Sequence, residues 1–228
     1  MKIAVSILIL ISLNFNSKAQ VVPQGFLIAP VVIESVTIGS QVWMKNNLDV
    51  KTYKNGDEIS QVVSNISTPS WASYGTNATS AWTYNNYDAN NNDAYGKLYN
   101  WYAVNDNRGI CPVSWHIPSE DEWLELANFS STDVSIRGKY LKEVGTTHWA
   151  TSSSALATNT TGFSALGGGY MGGSGSSSGS LTYYGYFWSS KSNGSTASYF
   201  LLVDNQASFT LALNGNKTGG FSVRCIHD

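Results

Sequence analysis

Residues 111–123 read CPVSWHIPSEDEW, and this stretch decides the fold of the chain. Ser119 can accept a hydrogen bond from the first helical turn, and Glu122 stands three residues later, which is the spacing of a capping box. Trp123 and Leu126 then begin an apolar helix face. The sequence therefore predicts a helix that begins at Ser119.

The only two cysteines are Cys111, which heads this stretch, and Cys225, which lies in the terminal segment GFSVRCI of residues 220–226. They are 114 residues apart, and two cysteines in an exported chain are expected to pair. A bridge across so long a loop stabilises a fold by about 4–5 kcal/mol through the entropy of the unfolded chain. We predict a disulfide; the alternative is two unrelated buried thiols.

Export is indicated by residues 1–19, which have the three regions of a signal peptide. Lys2 is the positive region, residues 3–13 are the apolar region, and small residues precede a cleavage site after Ala19. A transmembrane anchor needs roughly 18 apolar residues, and Asn14 interrupts the run too early. We expect a protein that is secreted, periplasmic or at the cell surface, with no integral membrane segment in the mature chain.

The composition limits the partners of the protein. Its formal net charge is −2 and only 12% of its residues are charged, so it lacks the basic surface that nucleic acids require. Aromatic residues make up 13% of the chain, which excludes a disordered protein and suits a β-rich extracellular one.

The chain divides into the signal peptide, an extended lead-in over residues 20–35, and one domain over residues 36–228. Alternating apolar residues around a Gly-Ser turn predict a hairpin over residues 36–44. Residues 64–93 are polar and Asn-rich and are interpreted as long loops pinned by aromatic side chains.

Helical spacing predicts two further helices, over residues 94–104 and 133–144. A glycine-serine loop is predicted at residues 172–180. Short apolar runs between Gly, Ser and Asn predict five antiparallel strands. These runs are residues 162–166, 185–189, 198–203, 209–213 and 220–226.

Several segments together resemble the Fibrobacter succinogenes major paralogous domain, and the match runs in order over residues 36–228. The resemblance implies an exported bacterial protein, often surface-associated, and gives no defined activity. The segments that carry it are residues 38–48, 95–104, 111–123, 158–166, 187–190 and 220–225.

A more distant resemblance is to the C-type-lectin-like fold, in the variant found in formylglycine-generating enzymes. Residues 116–123 and 221–225 are similar to its helix-opening and terminal segments. The resemblance implies an α+β fold with two to three helices flanking small irregular antiparallel sheets with long loops. It does not imply the oxidase activity, which needs a reactive cysteine pair, because Cys111 and Cys225 lie in segments that look structural.

Other catalytic chemistry has little support in the sequence. The pattern Gly-x-Ser-x-Gly occurs only within the low-complexity glycine-serine run of residues 172–180, not between a strand and a helix as a nucleophile elbow requires, and His116, His148 and His227 have neither triad nor zinc-ligand spacing. We therefore expect a protein that is not an enzyme and that holds no zinc.

Calcium is the one metal that the sequence suggests. Asp88, Asn90, Asn92 and Asp93 place oxygen ligands as at the start of a calcium loop. The loop lacks the glycine at its sixth position and has Tyr99 in place of the twelfth-position acid. The alternative is an Asn-rich turn that needs no ion.

The remaining signal is a group of aromatic and amide residues that suits carbohydrate binding, since aromatic rings stack on sugar rings and amides match paired hydroxyls. The alternative is that the aromatic residues belong to the core. The predicted ligand-binding residues are Tyr183, Tyr184, Tyr186, Trp188, Asn193 and Asn205.

These observations favour an exported, non-catalytic recognition module that binds glycans or surface polymers. A structural or adhesive cell-surface component that binds a protein partner is the first alternative, and an enzyme is the less favoured second one.

Overall fold

The computed structural model describes residues 33–228, apart from residues 65, 152–155 and 177–179. The predicted signal peptide and all but the end of the lead-in lie outside the described residues. The compact unit considered below is Glu34–Asp228.

The fold is α+β, with short helices and small, mostly antiparallel sheets. The helices are α1 (Trp71–Thr76), α2 (Asn92–Tyr95), α3 (Trp101–Val104), α4 (Glu120–Ser130) and α5 (Arg137–Leu141), with 3₁₀ turns at Asn85–Tyr87 and Ala89–Asn91. The strands are β1 (Ser35–Ile38), β2 (Gln41–Met44), β3 (Ser60–Gln61), β4 (Ala81–Thr83), β5 (Leu98–Asn100), β6 (Trp115–His116), β7 (Tyr184–Asn193), β8 (Thr196–Val203), β9 (Phe209–Asn216), β10 (Gly220–Phe221) and β11 (Ile226–His227).

The first sheet joins the two ends of the domain in the order β1-β2-β11-β6. β1 and β2 form the hairpin predicted over residues 36–44, with a Gly-Ser turn in which Gly39 has a φ of 63°. Beside this sheet, Cys111 and Cys225 form the predicted disulfide, with their Cα atoms 6.0 Å apart and both side chains buried. Backbone hydrogen bonds and a disulfide thus hold the early strands of the domain to its last strand.

The second sheet has the order β10-β5-β4-β3. It includes residues that were predicted to be a helix (94–104) and long loops (64–93). The helix predicted over residues 94–104 is interrupted, because β5 pairs with β4 on one side and β10 on the other. Only its ends are helical, as α2 and α3. Residues 64–93 are not loops throughout: they contain β4 and also α1, which Ser70 caps by accepting a hydrogen bond from the backbone of the first turn.

The third sheet, β7-β8-β9, packs one face on the core and contains three of the predicted strands. Helix α4 lies against that face, and Trp123 stacks on Phe200 with ring centroids 4.6 Å apart. The helix begins with the predicted capping box, in which Ser119 and Glu122 each accept from the other's backbone N–H. Phe187 from β7 is also buried in this cluster.

Three predicted elements differ from expectation. The helix predicted over residues 133–144 is only α5, since Lys142 leaves the helical conformation and forms a bridge with Ala165. The strand predicted over residues 162–166 is not formed. Within the described part of the chain, the bridge between Ala165 and Lys142 is the only strand-like pairing of these residues. The strand predicted over residues 220–226 is split into β10 and β11.

Arg224 is fully buried, which makes its hydrogen bonds important for the fold. Its Nε and Nη2 donate to Oδ1 of Asn47 at 3.2 and 2.8 Å, and its Nη1 donates to the carbonyl of Phe163. The guanidinium lies 4.4 Å from the ring centroid of Phe163. Burial lowers the pKa of Arg224, so these acceptors compensate for lost hydration of the charge.

Within the described residues, none of the helices has the length and apolar character needed to cross a membrane.

Candidate functional site

Four tyrosine rings come together on the outer face of the third sheet. We call Tyr170, Tyr184, Tyr186 and Tyr199 the tyrosine platform. The ring centroid of Tyr186 lies 5.2 Å from that of Tyr170, 6.1 Å from that of Tyr184 and 5.3 Å from that of Tyr199. The alternation of β7 puts Tyr184 and Tyr186 on the face opposite the core residue Phe187. The platform is therefore a partly exposed aromatic surface on a rigid sheet.

Phe221 packs against the platform. The Phe221 ring stacks on Tyr186, with ring centroids 4.7 Å apart, and its centroid also lies 4.2 Å from that of Trp188. Exposure increases along β7 from the buried Trp188, through the half-buried Tyr186, to Tyr184, which is 36% exposed. Tyr184 thus offers the most accessible ring of the platform.

The phenol groups of the platform lie close enough to influence one another. Burial, followed by the neighbouring phenols of Tyr199, Tyr170 and Tyr184, raises the pKa of Tyr186 to about 12. Tyr186 therefore keeps its proton at physiological pH, and a phenol is both a hydrogen-bond donor and an acceptor. The surface is uncharged, aromatic and edged with hydroxyls.

Trp188 does not lie in this exposed surface, contrary to its prediction as a ligand-binding residue. Its side chain is completely buried, and its indole N–H donates to the carbonyl of Tyr99 at 2.7 Å. Trp188 is therefore a core residue, as in the alternative interpretation of the sequence. Trp188 is buried in part because Phe221, which lies 33 positions further along the chain, packs against its ring.

The other predicted ligand-binding residues lie at opposite ends of β7. Tyr183 is 49% exposed and precedes the strand, and its carbonyl accepts from the backbone of Asp204, next to Asn205. Asn193 ends the strand nine residues from Tyr184, which corresponds to roughly 30 Å of extended chain. The structure therefore brings Tyr184 and Tyr186 together, places Tyr183 and Asn205 near one end, and separates Asn193 from all of them.

Two platform residues were not predicted from the sequence. Tyr199 pairs directly with Trp188 across the β7–β8 hairpin, so strand alternation puts it on the platform face. The two-residue Gly194-Ser195 loop indicates the hairpin, but the register shift between Trp188 and Ser192 means that this pairing could not be read from the turn. Tyr170 reaches the platform from a loop without any local pattern that indicates its position.

Three of the residues predicted to bind calcium, Asp88, Asn90 and Asn92, form side-chain hydrogen bonds with other protein groups. Oδ1 of Asp88 accepts from the backbone N–H and the side-chain amide of Asn90, both at 2.9 Å. Asp93 is exposed beside a cavity of about 290 Å³ that Asn92 also lines. No group of three or more His, Cys, Asp or Glu side chains suited to a metal ion occurs in the part of the chain that the structure describes.

A lysine ammonium group lies among the oxygen atoms of this region. Nζ of Lys97 donates to Oδ1 of Asn92 at 2.9 Å and to the carbonyl of Asp49 at 3.2 Å, and it forms an ion pair with the Asp49 carboxylate. Its side chain is almost fully buried, and burial lowers the pKa of Lys97 to about 8. Lys97 therefore neutralises the Asp49 carboxylate and occupies Oδ1 of Asn92 as a hydrogen-bond donor.

A second concave region, of about 310 Å³, lies beside α3 and β3 and is lined mostly by polar side chains. Its only arginine, Arg108, is held by Asp106 at 2.9 and 2.7 Å and by Asp57 at 2.9 Å. These hydrogen bonds from Arg108 lower the pKa of Asp106 to about 2. Trp101 lines the cavity but is 5% exposed, with Nζ of Lys217 4.2 Å from its ring centroid. This cavity offers less aromatic surface than the tyrosine platform.

His116 joins three parts of the fold. Its Nδ1 lies 2.7 Å from Oδ1 of Asp228, and its Nε2 lies 2.8 Å from Oε1 of Glu122. Glu122 is already used in the capping box of α4 with Ser119. The arrangement connects β6, α4 and the carboxyl-terminal residue by charge-assisted hydrogen bonds.

This arrangement predicts a pH dependence of stability. Burial lowers the pKa of His116, but hydrogen bonds from the imidazole to Asp228 and Glu122 outweigh that effect and raise the pKa overall. The charged imidazole therefore stabilises the fold below the unfolded pKa of about 6.5, and this contribution is lost as the pH rises through the folded pKa. We expect His116→Asn to destabilise the protein by less than about 1 kcal/mol, because the pair is partly exposed. Urea unfolding at pH 6 and pH 9 should give a larger difference from the wild type at pH 6; an equal difference would contradict the prediction.

Comparison with known proteins gives one match. The model of the Fibrobacter succinogenes major domain matches residues 36–227. No curated protein and no solved structure matches the chain significantly.

Proposed function

We propose that this chain, which belongs to the Fibrobacter succinogenes major domain family through residues 36–227, is an exported, non-catalytic module that recognises carbohydrate polymers. The ligand-binding surface is the tyrosine platform. The observation that carries the proposal is a set of four neighbouring tyrosine rings that is partly open to solvent and in which Tyr186 stacks on Phe221.

The chemistry of this surface suits a sugar polymer. Sugar rings present apolar C–H faces that pack on aromatic rings, and their hydroxyls exchange hydrogen bonds with phenols, which are donors and acceptors. Tyrosine also provides a large contact area with little loss of side-chain entropy, because it has few rotatable bonds. The neutral platform suits an uncharged polysaccharide better than an anionic polymer.

Export is part of the same proposal. The disulfide between Cys111 and Cys225 is of a kind that persists in oxidising compartments. The signal-peptide pattern of residues 1–19, with cleavage after Ala19, supports secretion, a periplasmic location or attachment at the cell surface. We also propose that the α+β fold is C-type-lectin-like, on the strength of the motifs in residues 116–123 and 221–225.

A binding experiment with soluble neutral polysaccharides tests the proposal. Affinity electrophoresis or calorimetry should detect binding of the mature chain to at least one polymer. We expect Tyr184→Ala to weaken it by about tenfold, which corresponds to about 1.4 kcal/mol and to the loss of one stacked aromatic contact. Binding should be the same with calcium and with a chelator.

Tyr183→Ala is the matched control, because Tyr183 is more exposed than Tyr184 but lies before β7, outside the platform. This variant should bind as the wild type does. Equal losses in the two variants, or no loss in either, would show that the platform is not the binding surface. An absence of binding to any polymer would favour the structural or adhesive alternative, in which the partner is a protein.

A further inference from the structure

Strand β9 is a free edge of the third sheet. It pairs with β8 on one side, and among the described residues no strand pairs with its other side. No backbone N–H or C=O of residues 209–215 forms a hydrogen bond to any described group outside the β8–β9 ladder. The outward-facing backbone groups of the strand are therefore available to another strand.

One segment of the edge lacks the features that usually prevent strands from pairing. β9 reads FTLALNGN and contains no charged residue and no proline, which are the common protective devices. A bulge opposite Ser198 limits the regular part of the ladder to Phe209–Ala212. A regular, uncharged segment with free backbone groups remains next to the tyrosine platform.

A second copy of this chain fits the edge. Two β9 strands in antiparallel orientation would present the same backbone pattern to each other around a two-fold axis. Because β9 is uncharged, two copies meet along it without like-charge repulsion. Thr210, which is exposed, and Ala212 lie on the platform face, where the side chains of paired strands would be neighbours.

We propose that the protein forms a two-fold dimer by antiparallel pairing of β9 with β9, which joins two three-stranded sheets into one sheet of six strands.

The pairing has a consequence for ligand binding that rests on the proposed carbohydrate function. A two-fold axis perpendicular to the joined sheet keeps both platform faces on the same side. The two tyrosine platforms then lie side by side and can bind one polymer at two points. Bivalent binding raises the apparent affinity without any new contact at either platform.

Oligomeric state, measured without any sugar, tests the pairing independently of the proposed function. Sedimentation equilibrium of the mature chain should give a mass that rises with concentration to twice that of the monomer. Thr210→Lys with Ala212→Lys should give a monomer at the same concentrations, because like charges then face each other across the axis. The Glu pair at the same two positions should also be monomeric.

Mixing the Lys variant with the Glu variant should restore the dimer, since opposite charges then meet. Ser192→Lys, at an exposed position on β7, is the control and should dimerise as the wild type does. If a double variant does not fold, Thr210→Lys alone replaces it. A wild type that stays monomeric at all concentrations, or a dimer that persists in the Lys variant, would overturn the proposal.

Discussion

Replacing both Cys111 and Cys225 by alanine is expected to lower the free energy of unfolding by about 2–5 kcal/mol. The disulfide closes a loop of 114 residues, so its removal restores a large amount of conformational freedom to the unfolded chain. Both cysteines are almost fully buried, and the carbonyl of Cys225 accepts from the backbone of Met44, so the bridge secures the first sheet at its centre.

Guanidinium unfolding of the wild type and of the double variant measures the change. A reductant should shift the unfolding midpoint of the oxidised wild type toward that of the variant and leave the variant unaffected. Equal midpoints without reductant would mean that the bridge adds no stability to this fold.

Replacing Arg224 by methionine is expected to lower the free energy of unfolding by about 2–5 kcal/mol. Methionine fills part of the volume but leaves Oδ1 of Asn47 and the carbonyl of Phe163 without their buried donors. Each buried acceptor that loses its partner costs about 1–3 kcal/mol. Relief from burying the guanidinium charge offsets part of this loss.

Arg137→Met is a matched control, because Arg137 also donates to a backbone carbonyl, that of Ser131 at 2.8 Å, but is only half-buried. We expect this control to lose about 1 kcal/mol or less. Urea unfolding with a common slope for all proteins gives the comparison. A smaller loss for Arg224→Met than for the control would show that the buried network is not needed for stability.

The sequence predicted the elements that depend on neighbouring residues. The capping box of Ser119 and Glu122 is confirmed, because both partners lie within one helical turn. The hairpin over residues 36–44 is confirmed for a similar reason, since a tight turn fixes the pairing of its strands. The disulfide was predictable because the chain offers only one pair of cysteines.

The errors arose where distant parts of the chain compete with local pattern. The apolar spacing of residues 94–104 fits a helix, but β5 gains backbone partners on both sides and becomes a strand. In the same way, alternation along β7 correctly grouped Tyr184, Tyr186 and Trp188. Their different exposure depends on tertiary contacts, among them those of Phe221 with the half-buried Tyr186 and the fully buried Trp188.

The position of β11 has a consequence for how the protein is made. This strand lies between β2 and β6, yet it follows every other strand in chain order. During synthesis the hairpin of β1 and β2 is therefore produced long before the strand that completes its sheet. Because chains emerge from the amino terminus first, the first sheet can close only when the last of its strands has emerged. A prematurely ended chain would expose an open sheet edge, which makes it recognisable to cellular quality control.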